Sequence, residues 1–148
     1  MTSPSDTDRL DWIETIDAAR ACYPLMRQLR PHLRDEAEFI ERWQRQGAAG
    51  YRLLTVQRAG RPVALAGYRL QENLVHGRFL YVDDLVTDEA LRGGGHGERL
   101  LTRLKEEARA QGCAKLVLDT GLDNALAHRF YYRQGLLGVA LRFAMALR

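Results

Sequence analysis

The stretch Arg92-Gly93-Gly94-Gly95-His96-Gly97 constrains this chain most, because four glycines fall within five residues between an apolar run and a long helical pattern. Before it, Arg78–Thr87 reads as a strand through Phe79, Leu80, Tyr81, Val82, Leu85 and Val86. After it, Leu100, Leu101, Leu104 and Ala108 line one face of a helix that Gly112 stops. Lys115–Thr120 then reads as a short apolar strand. Strand, glycine turn, helix and strand make one βαβ unit, so Leu80–Thr87 and Lys115–Thr120 are expected side by side and parallel. Glycine is a poor helix opener, so the gain must lie in backbone reach. A helix N-terminus offers unpaired N–H groups and about half a positive charge. A glycine-rich approach therefore suits a diphosphate, and Arg92 adds a fixed positive charge at the mouth.

The rest of the chain fits one α/β domain. Leu10–Ile16 is expected to be a first strand. Ala18, Cys22, Met26, Leu29 and Leu33 have helical spacing, with a break near Pro31. Asp35 is expected to cap a second helix with Glu38 as its reciprocal partner, Phe39, Ile40 and Trp43 facing inward, and Gly47 ending it. Tyr51–Val56 and Val63–Leu70, joined at Ala59-Gly60-Arg61, read as a hairpin. Asn124–Gln134 reads as a last helix and Leu137–Leu147 as a last strand region. The expected fold is a mixed, mostly antiparallel central sheet with one parallel βαβ pair, flanked by about four helices. Residues 1–9 read as a flexible tail and 10–148 as a single domain.

Two common phosphate loops do not fit. The nucleotide P-loop needs Gly-Lys-Ser/Thr, which is absent here. The dinucleotide fingerprint puts its third glycine on Glu98 or Leu100. Arg-x-x-Gly-x-Gly does fit, at Arg92, Gly95 and Gly97, while Gly93 and Gly94 read as a plain flexible turn. This pattern resembles the pyrophosphate-binding signature of the GNAT superfamily of N-acyltransferases. "YVDDLVTDEALRGGGHG" is similar to the family's fourth strand and loop. "NALAHRFYYRQGL" is similar to its later motif, carried here by Asn124, Ala127, Phe130-Tyr131 and Gly135-Leu136. One departure is Glu89, where the family usually has Pro.

The resemblance implies an acetyl-CoA-dependent N-acetyltransferase that moves an acetyl group to a primary amine by direct attack. It implies that the pantetheine arm pairs with the backbone of Leu85, Val86 and Thr87. The diphosphate would lie on Arg92, Gly93, Gly94, Gly95, His96 and Gly97, and Asn124 and Tyr131 would touch the cofactor. Tyr131 would also protonate the departing thiolate. A phenol with a pKa near ~10 keeps its proton at neutral pH, and a lysine-like amine near ~10 must lose one to attack. Asp83 and Asp84 are the candidate bases; adjacent on a strand, they are expected on opposite faces. Glu14 and Asp119 are weaker alternatives. Arg27, Arg30, His32 and Arg34 could favour an anionic acceptor or simply form a solvated face. The acceptor class stays open among metabolite, antibiotic, peptide terminus and protein lysine. A non-catalytic acyl-CoA-binding sensor or regulatory domain is the alternative, and a homodimer is compatible with either.

Composition narrows the other classes. The chain has 148 residues, 46% hydrophobic and 28% charged, with a net charge of +3 and no concentrated basic stripe, so no nucleic-acid partner is expected. No apolar run approaches the ~20 residues of a membrane span, and no signal-peptide pattern opens the chain, so a cytoplasmic location is expected. Two distant cysteines make no disulfide framework, and no His or Cys spacing suggests a metal.

Overall fold

A computed structural model describes residues 8–148. Of the tail expected over 1–9, residues 1–7 lie outside the described residues, whereas Asp8 and Arg9 belong to the fold. Arg9 opens β1 (Arg9–Trp12). The Asp8 carboxylate accepts from Arg58 at 2.8 and 3.1 Å, and its carbonyl accepts from Arg99 at 3.0 Å. The described residues divide into two compact units, one ending at Val117 and the other running from Leu118 to Arg148.

After β1 the first unit holds α1 (Ile16–Leu29), α2 (Glu36–Ala48), β2 (Arg52–Arg58), β3 (Arg61–Asn73) and β4 (Gly77–Thr87). A 3-10 turn, Glu89–Leu91, leads to α3 (His96–Ala110) and β5 (Lys115–Leu118). The first strand is shorter than expected because the Thr15 hydroxyl accepts the Ala18 N–H at 3.2 Å and starts α1 at Ile16. α1 tolerates Pro24 and ends just before Pro31. Asp35 caps α2 through the Glu38 N–H at 2.8 Å. The Glu38 carboxylate does not return to Asp35; it takes the Arg34 backbone and guanidinium instead, at 3.1 and 2.8 Å.

The sheet runs in the order β1-β2-β3-β4-β5, antiparallel from β1 to β4 with β4 and β5 parallel, as the βαβ reading requires. Ala59 and Gly60, with φ of 51° and 75°, close the β2–β3 hairpin between the paired Arg58 and Arg61. Both sheet faces are covered. Ile13, Leu53, Leu65 and Val86 pack with Cys22, Leu25, Met26 and Phe39 of α1 and α2. Residues one step along the strands, such as Leu54 and Ala66, are also buried but lie outside that cluster, toward α3. There Leu100, Leu101 and Leu104 are fully buried, and the Arg103 guanidinium stacks on Trp12 at 4.6 Å.

The second unit contains α4 (Ala125–Arg133). The strand region expected over Leu137–Leu147 is not a strand here. Its alternation of Leu137, Val139, Leu141, Phe143, Met145 and Leu147 is present, with all six side chains exposed. A strand needs ladder bonds from an extended neighbour, and this unit has no second extended element.

Candidate functional site

α3 begins differently from the other helices. Thr15, Asp35 and Asn124 cap α1, α2 and α4 with side-chain oxygens. α3 has no side-chain cap, and its N-cap is Gly95 in the left-handed region, φ 81°. The first intrahelical bond runs from the Arg99 N–H to the Gly95 carbonyl at 3.0 Å, so the N–H groups of His96, Gly97 and Glu98 precede the ladder. A Cβ built on Gly93 or Gly95 would meet no atom within 4 Å, so the loop faces open space. Gly93 takes a left-handed φ of 86°, a turn conformation that glycine adopts without strain. A Cβ on Gly94 would crowd the His96 ring at 3.2 Å and the Leu91 carbonyl at 3.3 Å. The His96 ring turns into the fold, where it is buried with Nδ1 3.7 Å from Asp8. Arg92 is exposed beside the loop, with a loose approach to Glu89 at 3.9 Å. Glu89 uses the N–H that a proline would lack, donating to Gln28 of α1 at 3.0 Å.

Leu85, Val86 and Thr87 pair on one side with Ala66, Leu65 and Ala64 of β3. On the other side the Ala114 N–H donates to the Arg78 carbonyl at 2.8 Å, just before β5 begins. A four-residue parallel strand starting there extends for about 13 Å and ends near Asp83. The backbone of Leu85–Thr87 lies beyond its reach.

Between those two regions β4 carries a bulge. Gly67 pairs with Asp84 and Tyr68 with Val82, leaving Asp83 as the extra residue. The bulge cancels the alternation expected of adjacent residues, so both carboxylates lie on the α1 face, not on opposite faces. The two Asp83 oxygens accept from Arg69 Nε at 2.8 Å and Nη2 at 2.7 Å, and Arg69 itself stands over Tyr81. Asp84 accepts from the Tyr51 hydroxyl at 2.7 Å and from Arg30 Nε at 3.0 Å. Its side chain is 13% exposed against 23% for Asp83. Tyr51 is buried, and burial foremost, with the Asp84 charge beside it, holds its hydroxyl proton well above the ordinary phenol range. Among the other candidates, Arg34 is paired with Glu38, and Glu14 is exposed.

Three residues of this cluster were not foreseen as parts of a site: Tyr51, Gly67 and Arg69. Gly67 carried the one readable signal, since a glycine inside a strand pattern marks a close approach. A Cβ there would lie 1.8 Å from the Tyr51 hydroxyl, so Gly67 is the notch in which Tyr51 sits. Gly67→Ala is expected to displace the ring and destabilise the fold by about 1–3 kcal/mol. Urea unfolding checks this, and an unchanged midpoint would show that the notch is dispensable.

In the second unit Asn124 caps α4, its side-chain oxygen accepting the Ala127 N–H at 3.2 Å. Asn124 is also the residue that the resemblance expects to touch the cofactor. Tyr131 is half-buried, and burial raises its phenol pKa above the usual value. Its neighbour Tyr132 is 59% exposed. The His128 ring bonds the Gly121 carbonyl at 2.7 Å, and Asp119 pairs with Arg142. No group of three His, Cys, Asp or Glu among the described residues could hold a metal ion, and no described helix is long and apolar enough to cross a membrane.

Residues 12–136 match the family model described as the acetyltransferase (GNAT) family. Over 119 residues the chain is 34% identical to glucosamine 6-phosphate N-acetyltransferase 1 of Oryza sativa subsp. japonica, covering 75% of this chain and 72% of that one. Over 91 residues it is 35% identical to the aminoalkylphosphonate N-acetyltransferase of Salmonella typhimurium, covering 61% and 59%. Among solved structures, an aminoglycoside N-acetyltransferase in complex with CoA shares the fold at a TM-score of 0.80 and 15% identity, covering 96% of this chain and 95% of that one.

Proposed function

This chain belongs to the acetyltransferase (GNAT) family of N-acetyltransferases, and from that premise we propose that it moves the acetyl group of acetyl-CoA to a primary amine by direct attack on the thioester. The observation that carries the cofactor half is the uncapped start of α3 at a left-handed glycine. Three N–H donors, the helix dipole and Arg92 form an arrangement suited to a diphosphate. The backbone of Leu85–Thr87, beyond the reach of β5, is the edge we assign to the pantetheine amides. The family match spans both compact units, which supports reading them as one catalytic domain.

For the chemistry, the attacking amine must first lose a proton. Asp83 and Asp84 both lie at the bulge, but neither is an idle base. Arg69 holds both oxygens of Asp83, and Tyr51 and Arg30 hold Asp84. We therefore assign the pair to attracting and orienting the ammonium and to receiving its proton through water, with the more open Asp83 nearer the acceptor. We assign Tyr131 to the departing thiolate: its raised pKa keeps the phenol protonated and able to donate. The acceptor is a small amine in this reading. The names of the two relatives recommend amines that also carry a phosphate or phosphonate as the first to try.

Thermal shift tests the cofactor half. Acetyl-CoA at 100 times its dissociation constant adds roughly 2.7 kcal/mol of stability. A rise in melting temperature with acetyl-CoA and CoA, and none with ATP or NAD, is expected. No change at millimolar acetyl-CoA would remove the reading.

A further inference from the structure

We propose that Arg30 is a positioning residue for acetyl transfer, holding the β4 bulge in the shape that aims the backbone N–H of Leu85 at the reacting groups. The inference rests on the function proposed above. The bulge takes Asp83 out of register with β3. Its carbonyl is met instead by Arg30 Nη2 at 2.9 Å. The same guanidinium grips the Asp84 carboxylate through Nε at 3.0 Å and Nη2 at 2.9 Å. One side chain thus fixes two consecutive residues, by the main chain of the first and the side chain of the second. Asp84 is held from its other oxygen by Tyr51, and Tyr51 is seated by the missing Cβ of Gly67.

The anchor itself is fixed. Arg30 ends α1, where its N–H closes on the Met26 carbonyl at 2.8 Å and Pro31 follows. The guanidinium therefore reaches the bulge from a helix end locked by the chain, not from a mobile loop. The peptide plane between Asp83 and Asp84 can turn only if the Arg30 bond to the carbonyl breaks. Turning it would also pull the N–H of Asp84 from its place opposite Gly67 of β3 and, through it, re-aim the N–H of Leu85 at the start of the Leu85–Thr87 edge. Backbone donors aimed at a developing oxyanion lose much of their effect when misplaced by small amounts. A planar fork can make these contacts together, whereas a lysine ammonium cannot span them in the same geometry.

The test compares wild type, Arg30→Gln, Arg30→Lys and Tyr51→Phe in steady-state kinetics with acetyl-CoA and an accepted amine. Amide hydrogen exchange at Asp84 and Leu85 is followed in parallel. Arg30→Gln is expected to lower kcat about 10–100-fold. Its acetyl-CoA KM and the exchange of amides outside the bulge should stay near wild type. Exchange at Asp84 and Leu85 should rise, Arg30→Lys should recover only part of kcat, and Tyr51→Phe should move kcat and local exchange in the same direction. An unchanged kcat, full recovery by lysine, or a loss matched by faster exchange throughout the chain would overturn the proposal. If wild type binds acetyl-CoA but acetylates no amine, the functional reading fails by itself. The exchange at Asp84 and Leu85 then still decides whether Arg30 holds the bulge.

Discussion

Replacing Tyr131 by phenylalanine is expected to lower turnover by about 10²–10⁴-fold while acetyl-CoA affinity stays close to wild type. The change deletes one hydroxyl and keeps the ring, so the half-buried packing beside Phe130 survives, with the ring centroids 5.5 Å apart. A donor that meets the departing thiolate acts only as charge develops, so its loss falls on kcat. A proton donor is lost as pH rises through its pKa. Burial has moved this one upward, so the rate should hold through neutral pH and decline only above ~10. Tyr132→Phe is the matched control, since that ring is exposed. If Tyr132→Phe is the damaging change and Tyr131→Phe is silent, the assignment is off by one residue. If neither matters, water protonates the thiolate.

The second large effect is expected at Gly95. Gly95→Val should weaken acetyl-CoA binding by about 10–100-fold, the loss of roughly one or two charge-assisted hydrogen bonds. Gly60→Val is the control that separates binding from folding. Gly60 has nearly the same φ, 75° against 81°, and a Cβ on either glycine meets no described atom within 4 Å. The two substitutions therefore carry similar backbone strain, and only Gly95 opens α3. Calorimetry on folded variants that found equal losses of affinity would place the cradle elsewhere.

The parts of this fold that were legible in the sequence are those decided locally. The helix after the glycines, its stop at Gly112 and the hairpin at Ala59-Gly60 follow from periodicity and turn chemistry over a few residues. The resemblance carried by Arg92, Gly95 and Gly97 agrees with the family found by comparison. Features that depend on pairing were not legible. Whether Asp83 and Asp84 share a face depends on a register shift between β3 and β4, and alternation along one strand gives the opposite answer. Gly67 and Tyr51 are 16 positions apart, so their fit emerges only once β2 and β3 are aligned. The cap that Asn124 makes for α4 through the Ala127 N–H was not foreseen. Leu137–Leu147 has the period of a strand, yet period alone supplies no neighbour to pair with.

The central claim is acetyl transfer from acetyl-CoA to an amine, and thiol release measures it most directly. The protein is mixed with acetyl-CoA and a panel spanning amino-sugar phosphates, aminoalkylphosphonates, aminoglycosides, peptides with free N-termini and protein lysines. Cys22 will not add to the signal in the folded protein, because burial pushes its thiol up to about 12. The account predicts CoA release with at least one amine, matched mole for mole by the acetylated amine in a mass spectrum. It also predicts that release fails with the same molecule acetylated beforehand. Tight binding of acetyl-CoA with no release above the uncatalysed rate on any amine would contradict it, and would favour a domain that senses acyl-CoA without turning it over.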